Sequence, residues 1–76
     1  MMRKYEKNII THIESVYSLL SPTEKTIADF FLHNQKRIDF SSKNVSSLLY
    51  VSEPSLSRFA KKCGYKGYQE FLFYYK

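Results

Sequence analysis

Arg58 and Lys61 share one face of a short helical stretch with Pro54, opposite an apolar stripe of Leu56, Phe59, Ala60 and Cys63. The stretch is V-S-E-P-S-L-S-R-F-A-K-K-C-G-Y-K-G-Y, residues 51–68. The apolar four recur at i, i+3, i+4 and i+7, which is one face of a helix at 100° per residue. Ser57 lies on one wing of the polar face, Ser55 and Lys62 on the other. An Arg fork so placed can take guanine O6 and N7 together or clamp a phosphate. Lysine is a mobile point charge that suits phosphates, and Lys61 and Lys62 have that role. Ser55 and Ser57 carry hydroxyls that both donate and accept, so they discriminate bases weakly. The chemistry is recognition of a polyanion, and the geometry suits a DNA major groove. Plainer roles stand beside these: solvated serines, ordinary exposed lysines, and an Arg58 that braces a neighbouring carboxylate.

A second candidate group follows the helix. Gly67 lets the backbone approach a phosphate, the next helix offers free N–H groups there, and Lys66 adds charge. Tyr65 and Tyr68 flank them; the alternative for Tyr68 is a partly buried aromatic. Lys43 could reach the flanking strand. Ser52 is an N-cap whose amide could also meet a phosphate. Glu53 suits a helix start and could accept from cytosine N4. No pattern supports catalysis. His12 and His33 lie on different helices without ligands at metal-binding spacing. Cys63 falls on the apolar stripe and reads as core. No cofactor and no Gly-rich phosphate loop is indicated.

Helical elements must position these residues. A first helix is expected over residues 4–20. Its seam of Tyr5, Ile9, Ile13, Val16 and Leu20, widened by Ile10 and Tyr17, can bury against the domain or against a second copy. Ile9, Ile13, Val16, Tyr17 and Leu20 are thus the candidate dimerisation residues. Ser21-Pro22-Thr23-Glu24 reads as a capping box opening a second helix that ends near His33, with Asn34 as C-cap. Ile27, Ala28, Phe30 and Phe31 form its core face. Residues 35–41 connect, with Ile38 and Phe40 plugging the core. A third helix follows over 42–49, with Val45, Leu48 and Leu49 inward. Tyr50 and Val51 turn into the recognition helix, about 53–63, which Gly64 stops. Third helix, tight turn and fourth helix make a helix-turn-helix. A fifth helix begins near Gly67 or Tyr68.

Composition agrees with one small domain over residues 1–76. Only 2 Gly and 2 Pro among 76 residues favour helices over a turn-rich β fold. The 13 aromatics argue against disorder. Net charge is +5, of which residues 41–76 supply +4. An excess concentrated around the recognition helix favours a polyanionic partner, and a merely soluble basic surface stands beside it as the plainer alternative. The single cysteine excludes an internal disulfide and fits a cytoplasmic setting. No run is apolar enough to span a membrane, and M-M-R-K-Y-E-K is not followed by a signal-peptide core. The terminal F-L-F-Y-Y-K is strongly apolar, so the chain is expected to be a fragment whose fifth helix leads into a further domain.

Three ordered motifs resemble one family. S-P-T-E-K-T-I-A-D-F-F-L (21–32), V-S-E-P-S-L-S-R-F (51–59) and G-Y-K-G-Y-Q-E-F (64–71) are similar to the N-terminal DNA-binding domain of RpiR/MurR-type bacterial transcriptional regulators. The resemblance implies an all-α, five-helix domain containing a helix-turn-helix, winged-helix-like or homeodomain-like but without a clear wing. It implies a C-terminal sugar isomerase-type (SIS) domain, absent here, that binds a phosphosugar effector. The family motif also keeps an Arg at position 58, which fits backbone positioning across many operators. The chain departs from the family at Tyr50, where glycine is usual, and in its Ser- and Leu-rich third helix.

The expected function is sequence-specific binding of double-stranded DNA in a bacterial regulator of sugar metabolism. A homodimer would set two recognition helices on a palindromic operator. The competing expectation is a helical protein–protein interaction or dimerisation module, because a helix-turn-helix fold alone does not establish DNA binding. RNA binding is less favoured, for want of an aromatic platform on a sheet.

Overall fold

The computed structural model describes residues 3–34 and 36–76, with side chains from Ile9 onward. Helix α1 is Arg3–Val16, α2 Pro22–His33, α3 Ser42–Leu49, α4 Glu53–Lys62 and α5 Tyr68–Tyr75. A single 3-10 turn, Tyr17–Leu19, follows α1. No strand occurs among the described residues. The expected five-helix, all-α architecture is therefore the observed one.

The first helix is shorter than the expected 4–20. Ser21 must be extended (φ −72°, ψ 167°) to cap α2, and Pro22 bars the residue before it from the helical region. Leu20 is already extended (φ −84°, ψ 149°), so the α-helix closes through the 3-10 turn. The capping box forms as its residues dictate. The Ser21 hydroxyl accepts from the Glu24 amide at 3.2 Å, and the Ser21 amide donates to Glu24 Oε1 at 2.9 Å. Asn34 caps the far end, its amide donating to the Phe30 carbonyl.

The α1 seam is filled from inside the domain. Ile9, Ile13 and Leu20 are buried in the same core as Ile27, Phe31 and Phe71. This corrects their assignment to a dimer surface: the periodicity marked a buried face, and the covering partner is the chain's own α2 and α5. Val16 and Tyr17 are half-buried against that core. The Tyr17 hydroxyl donates to Asp29 at 2.9 Å, and the Lys25 ammonium lies 5.4 Å from its ring centroid. Tyr5 lies outside the residues whose side chains are described.

Phe31 sits at the centre of the core. Its ring meets Phe30, Phe71 and Tyr75 edge-on at 4.9, 4.8 and 4.9 Å, and stacks on Phe59 at 6.1 Å. Phe40 joins from the connector, stacked at 6.3 Å. One ring thereby ties α2 to α4, α5 and the α2–α3 link. In α3 the expectation fails at Leu48, which is 52% exposed, while Ser46 is buried beside Val45. Val45, Leu49 and Ser46 span an arc of about 100°, and Leu48 falls about 60° outside it.

Two helices end alike at very different cost. The Tyr65 amide donates to the Ala60 carbonyl at 3.0 Å around Gly64, whose φ is +100°. The Val51 amide donates to the Ser46 carbonyl at 2.9 Å around Tyr50, whose φ is +58°. Both are left-handed closures of the Schellman kind, which glycine adopts without penalty. The Tyr50 side chain is 94% exposed and recovers nothing by packing. Tyr50→Gly is therefore expected to stabilise the domain by about 0.5–1 kcal/mol, since relief of the left-handed strain exceeds glycine's entropy cost. Urea denaturation checks this; a lower midpoint than the parent's would contradict it.

Candidate nucleic-acid interface

Helix α4 owes its place to both of its faces. Ser52 caps it, accepting from the Ser55 amide at 3.3 Å, and Pro54 stands in the first turn. Leu56, Phe59, Ala60 and Cys63 are buried, so the helix lies against α2, α3 and α5 with Arg58 and Lys61 turned outward. Burial, with the nearby Glu24 charge, pushes the Cys63 thiol up to about 11, so it remains a protonated core group at neutral pH.

The outward face of α4 forms one wall of a groove of about 810 Å³. Pro54, Ser57, Arg58 and Lys61 line it from α4, and Lys66, Gly67 and Tyr68 from the entry to α5. The two stretches picked out separately in the sequence thus face one space. Ser42, Glu53, Gln69 and Glu70 complete the lining. Ser42, Gln69 and Glu70 were not anticipated, because they reach the groove through the docking of α3 and α5 on α4. Helix α4, at 10 residues, is about 15 Å long. Its diameter with side chains, about 10–12 Å, matches a major groove about 12 Å wide.

Five expected site residues are placed otherwise. Ser55 is 7% exposed, and its hydroxyl lies 2.8 Å from that of Ser52. It sits one turn before Phe59 on the buried flank, so it supports the helix start instead of facing a ligand. The Lys62 ammonium is 2.8 Å from Glu24 Oε1. Tyr68 is buried, and its hydroxyl donates to the Phe40 carbonyl at 2.8 Å. Burial pushes that phenol far above its ordinary range. Tyr68 therefore contributes a wall and a tether for the connector. Ser52 and Lys43 are exposed at the starts of α4 and α3 but lie outside the groove lining. Gly67 is extended (φ 179°), and a Cβ there would meet nothing within 4 Å. The fold itself does not demand glycine at that position.

The groove's electrostatics are mixed. Among the described residues the one ion pair is Lys62–Glu24, so Arg58, Lys61 and Lys66 have no carboxylate within 4.0 Å. Among the described residues Arg58 Nη2 reaches only the Ser55 hydroxyl, at 3.5 Å, the outer limit of a hydrogen bond. The Glu70 carboxylate accepts from the Lys66 amide at 2.6 Å and thereby fixes the turn into α5. His12 Nδ1 and the Tyr65 hydroxyl lie 3.1 Å apart, which joins α1 to the same turn. No group of three or more His, Cys, Asp or Glu able to hold a metal occurs among the described residues. No helix among them is long and apolar enough to cross a membrane.

Glu24 holds α4 against α2. It is 6% exposed, and the same Oε1 accepts from the Ser21 amide and from Lys62. Burial alone would raise its pKa, but the Lys62 hydrogen bond, the Ser21 amide and hydroxyl and the Lys62 charge together hold it below the usual value. Its stabilising contribution is complete above the unfolded-state pKa of about 4.3 and is lost as the pH falls through the lower folded-state value. Glu24→Gln should cost about 1–2 kcal/mol at pH 7, the exposed side of Lys62 being partly screened, and should flatten the decline in acid. Denaturation midpoints at pH 7 and pH 3 check both effects; parallel declines in variant and parent would contradict them.

Comparison with known proteins agrees with this geometry. Residues 7–74 match the helix-turn-helix domain of the rpiR family. An uncharacterised HTH-type transcriptional regulator of Haemophilus influenzae is 35% identical over 65 residues, covering 84% of this chain and 23% of that protein. The HTH-type transcriptional regulator HexR of Pseudomonas aeruginosa is 34% identical over 65 residues, with the same coverage. The chain spans about a quarter of the length of these relatives. With the match running through all five helices, the chain belongs to the rpiR family of helix-turn-helix domains.

Proposed function

We propose that the chain is the sequence-specific DNA-binding domain of a bacterial transcriptional regulator, with α4 as its major-groove reader. The observation that carries this is the groove itself. Arg58 and Lys61 on α4 and Lys66 at the entry to α5 line one concave surface without ion-pair partners among the described residues. Residues near the start of α4 meet base edges, and Arg58 takes a guanine or a phosphate. Lys61, Lys66 and the free amides at the start of α5 take phosphates.

Two copies on a palindromic operator place two α4 helices one turn of DNA apart. With Ile9, Ile13 and Leu20 committed to the core, contact between copies falls to other surfaces. The HexR relative, an HTH-type transcriptional regulator, supports the reading as a regulator, and the family resemblance implies one of sugar metabolism acting in the cytoplasm. Its phosphosugar effector would act through a further domain.

The test is fluorescence anisotropy of a labelled 30-base-pair duplex library at several salt concentrations, with the retained DNA sequenced. The expected affinity falls by about 0.9 log units per log unit of salt for each phosphate neutralised, and a two-fold symmetric site is enriched. No binding at low salt would contradict the reading.

A further inference from the structure

One carboxylate in the groove is unexplained by phosphate binding. Glu53 is exposed at the first position of α4, and its Oε1 accepts from the Ser42 hydroxyl at 2.9 Å. No cation among the described residues comes within 4.0 Å of it. A bare carboxylate repels phosphates, so on a backbone-binding surface it lowers affinity. It stands at the end of the recognition helix that meets base edges. The hydroxyl of Ser42, on α3, restrains a side chain that would otherwise sweep through several rotamers.

We propose that Glu53 is a specificity-determining residue that reads cytosine in the major groove. Its oxygens are acceptors only, so they require a donor on the base edge. Cytosine offers N4–H₂ alone. Adenine offers N6–H₂ beside the N7 lone pair, which faces the second carboxylate oxygen. Thymine O4 and guanine O6 and N7 are acceptors and are repelled. Glu53 thereby contributes discrimination at a cost in affinity, while Arg58 and the lysines contribute affinity. The assignment rests on the major-groove reading of α4.

Glu53→Gln tests it most directly, because glutamine keeps an oxygen to accept from Ser42 and gains an amide that pairs with adenine N6 and N7. The parent chain, Glu53→Gln and Ser42→Ala would each select from a randomised duplex library at one fixed salt concentration, with circular dichroism recorded on each. The parent is expected to enrich cytosine over thymine and guanine at one position per half-site, by about 5- to 100-fold. Glu53→Gln is expected to switch that position to adenine. Ser42→Ala should keep cytosine but discriminate less. Retained DNA with the same base preference in the parent and Glu53→Gln would overturn the assignment alone, leaving Glu53 as a brace between α3 and α4. No retained DNA from any folded variant at low salt would overturn the DNA reading, and this assignment with it.

Discussion

Alanine at position 58 is expected to lower DNA affinity by about 1–3 kcal/mol per recognition helix, with the melting temperature unchanged. Arg58 is exposed on the side of α4 away from the core, and its one polar contact among the described residues, to Ser55 at 3.5 Å, is marginal. Removing it takes one cation from the groove wall without opening a cavity in the core. The loss would act at both half-sites of a two-fold operator. Anisotropy titration and thermal denaturation of the same sample separate binding from folding. Phe73→Ser supplies the contrast. Phe73 is 75% exposed on α5 and lies outside the α4 groove, so its loss should leave DNA binding intact. The interaction-module alternative requires the opposite pattern, with Arg58→Ala silent and Phe73→Ser disabling.

The largest effect on folding is expected from Phe31→Ala, at about 3–5 kcal/mol. The ring touches aromatic side chains from α2, the connector, α4 and α5, so alanine leaves a void that no single neighbour can fill. At roughly 0.05–0.15 kcal/mol per residue, a domain of this size has about 4–11 kcal/mol in all. Phe31→Ala would therefore remove much of the folding free energy and leave part of the population unfolded at 37 °C. Urea denaturation should show a lower midpoint with an unchanged slope. A loss below about 1 kcal/mol would mean that Phe31 is not the hub its contacts describe.

Features that depend on neighbouring residues were legible in the sequence. The Ser21–Glu24 capping box, the Ser52 cap and the Gly64 stop each follow from side chains within a few positions. The outward face of α4 was legible too, because Leu56 and Phe59 orient the helix by periodicity alone. Long-range pairings were not. Lys62 reaches Glu24 and Tyr68 reaches the Phe40 carbonyl across wide stretches of chain, and nothing local marks either partner. Lys62 and Tyr68 looked like ligand-facing groups for that reason. Ser55 was misplaced by its position on the edge of the polar face, where the packing of α4 decides between burial and solvent. The α1 seam shows the same limit: a 3.5-residue repeat specifies a buried stripe and is silent on what buries it.

Chemical-shift mapping tests the central claim, that α4 and the entry to α5 form the DNA surface, most directly. The chain, labelled with nitrogen-15, would be titrated with the best duplex retained from the library. The account predicts the largest amide shifts over residues 53–62 and 66–68, with the α1 amides and the exposed side of α5 little changed. Shifts centred on α1 or on Phe73 and Tyr74, with α4 unmoved, would contradict it.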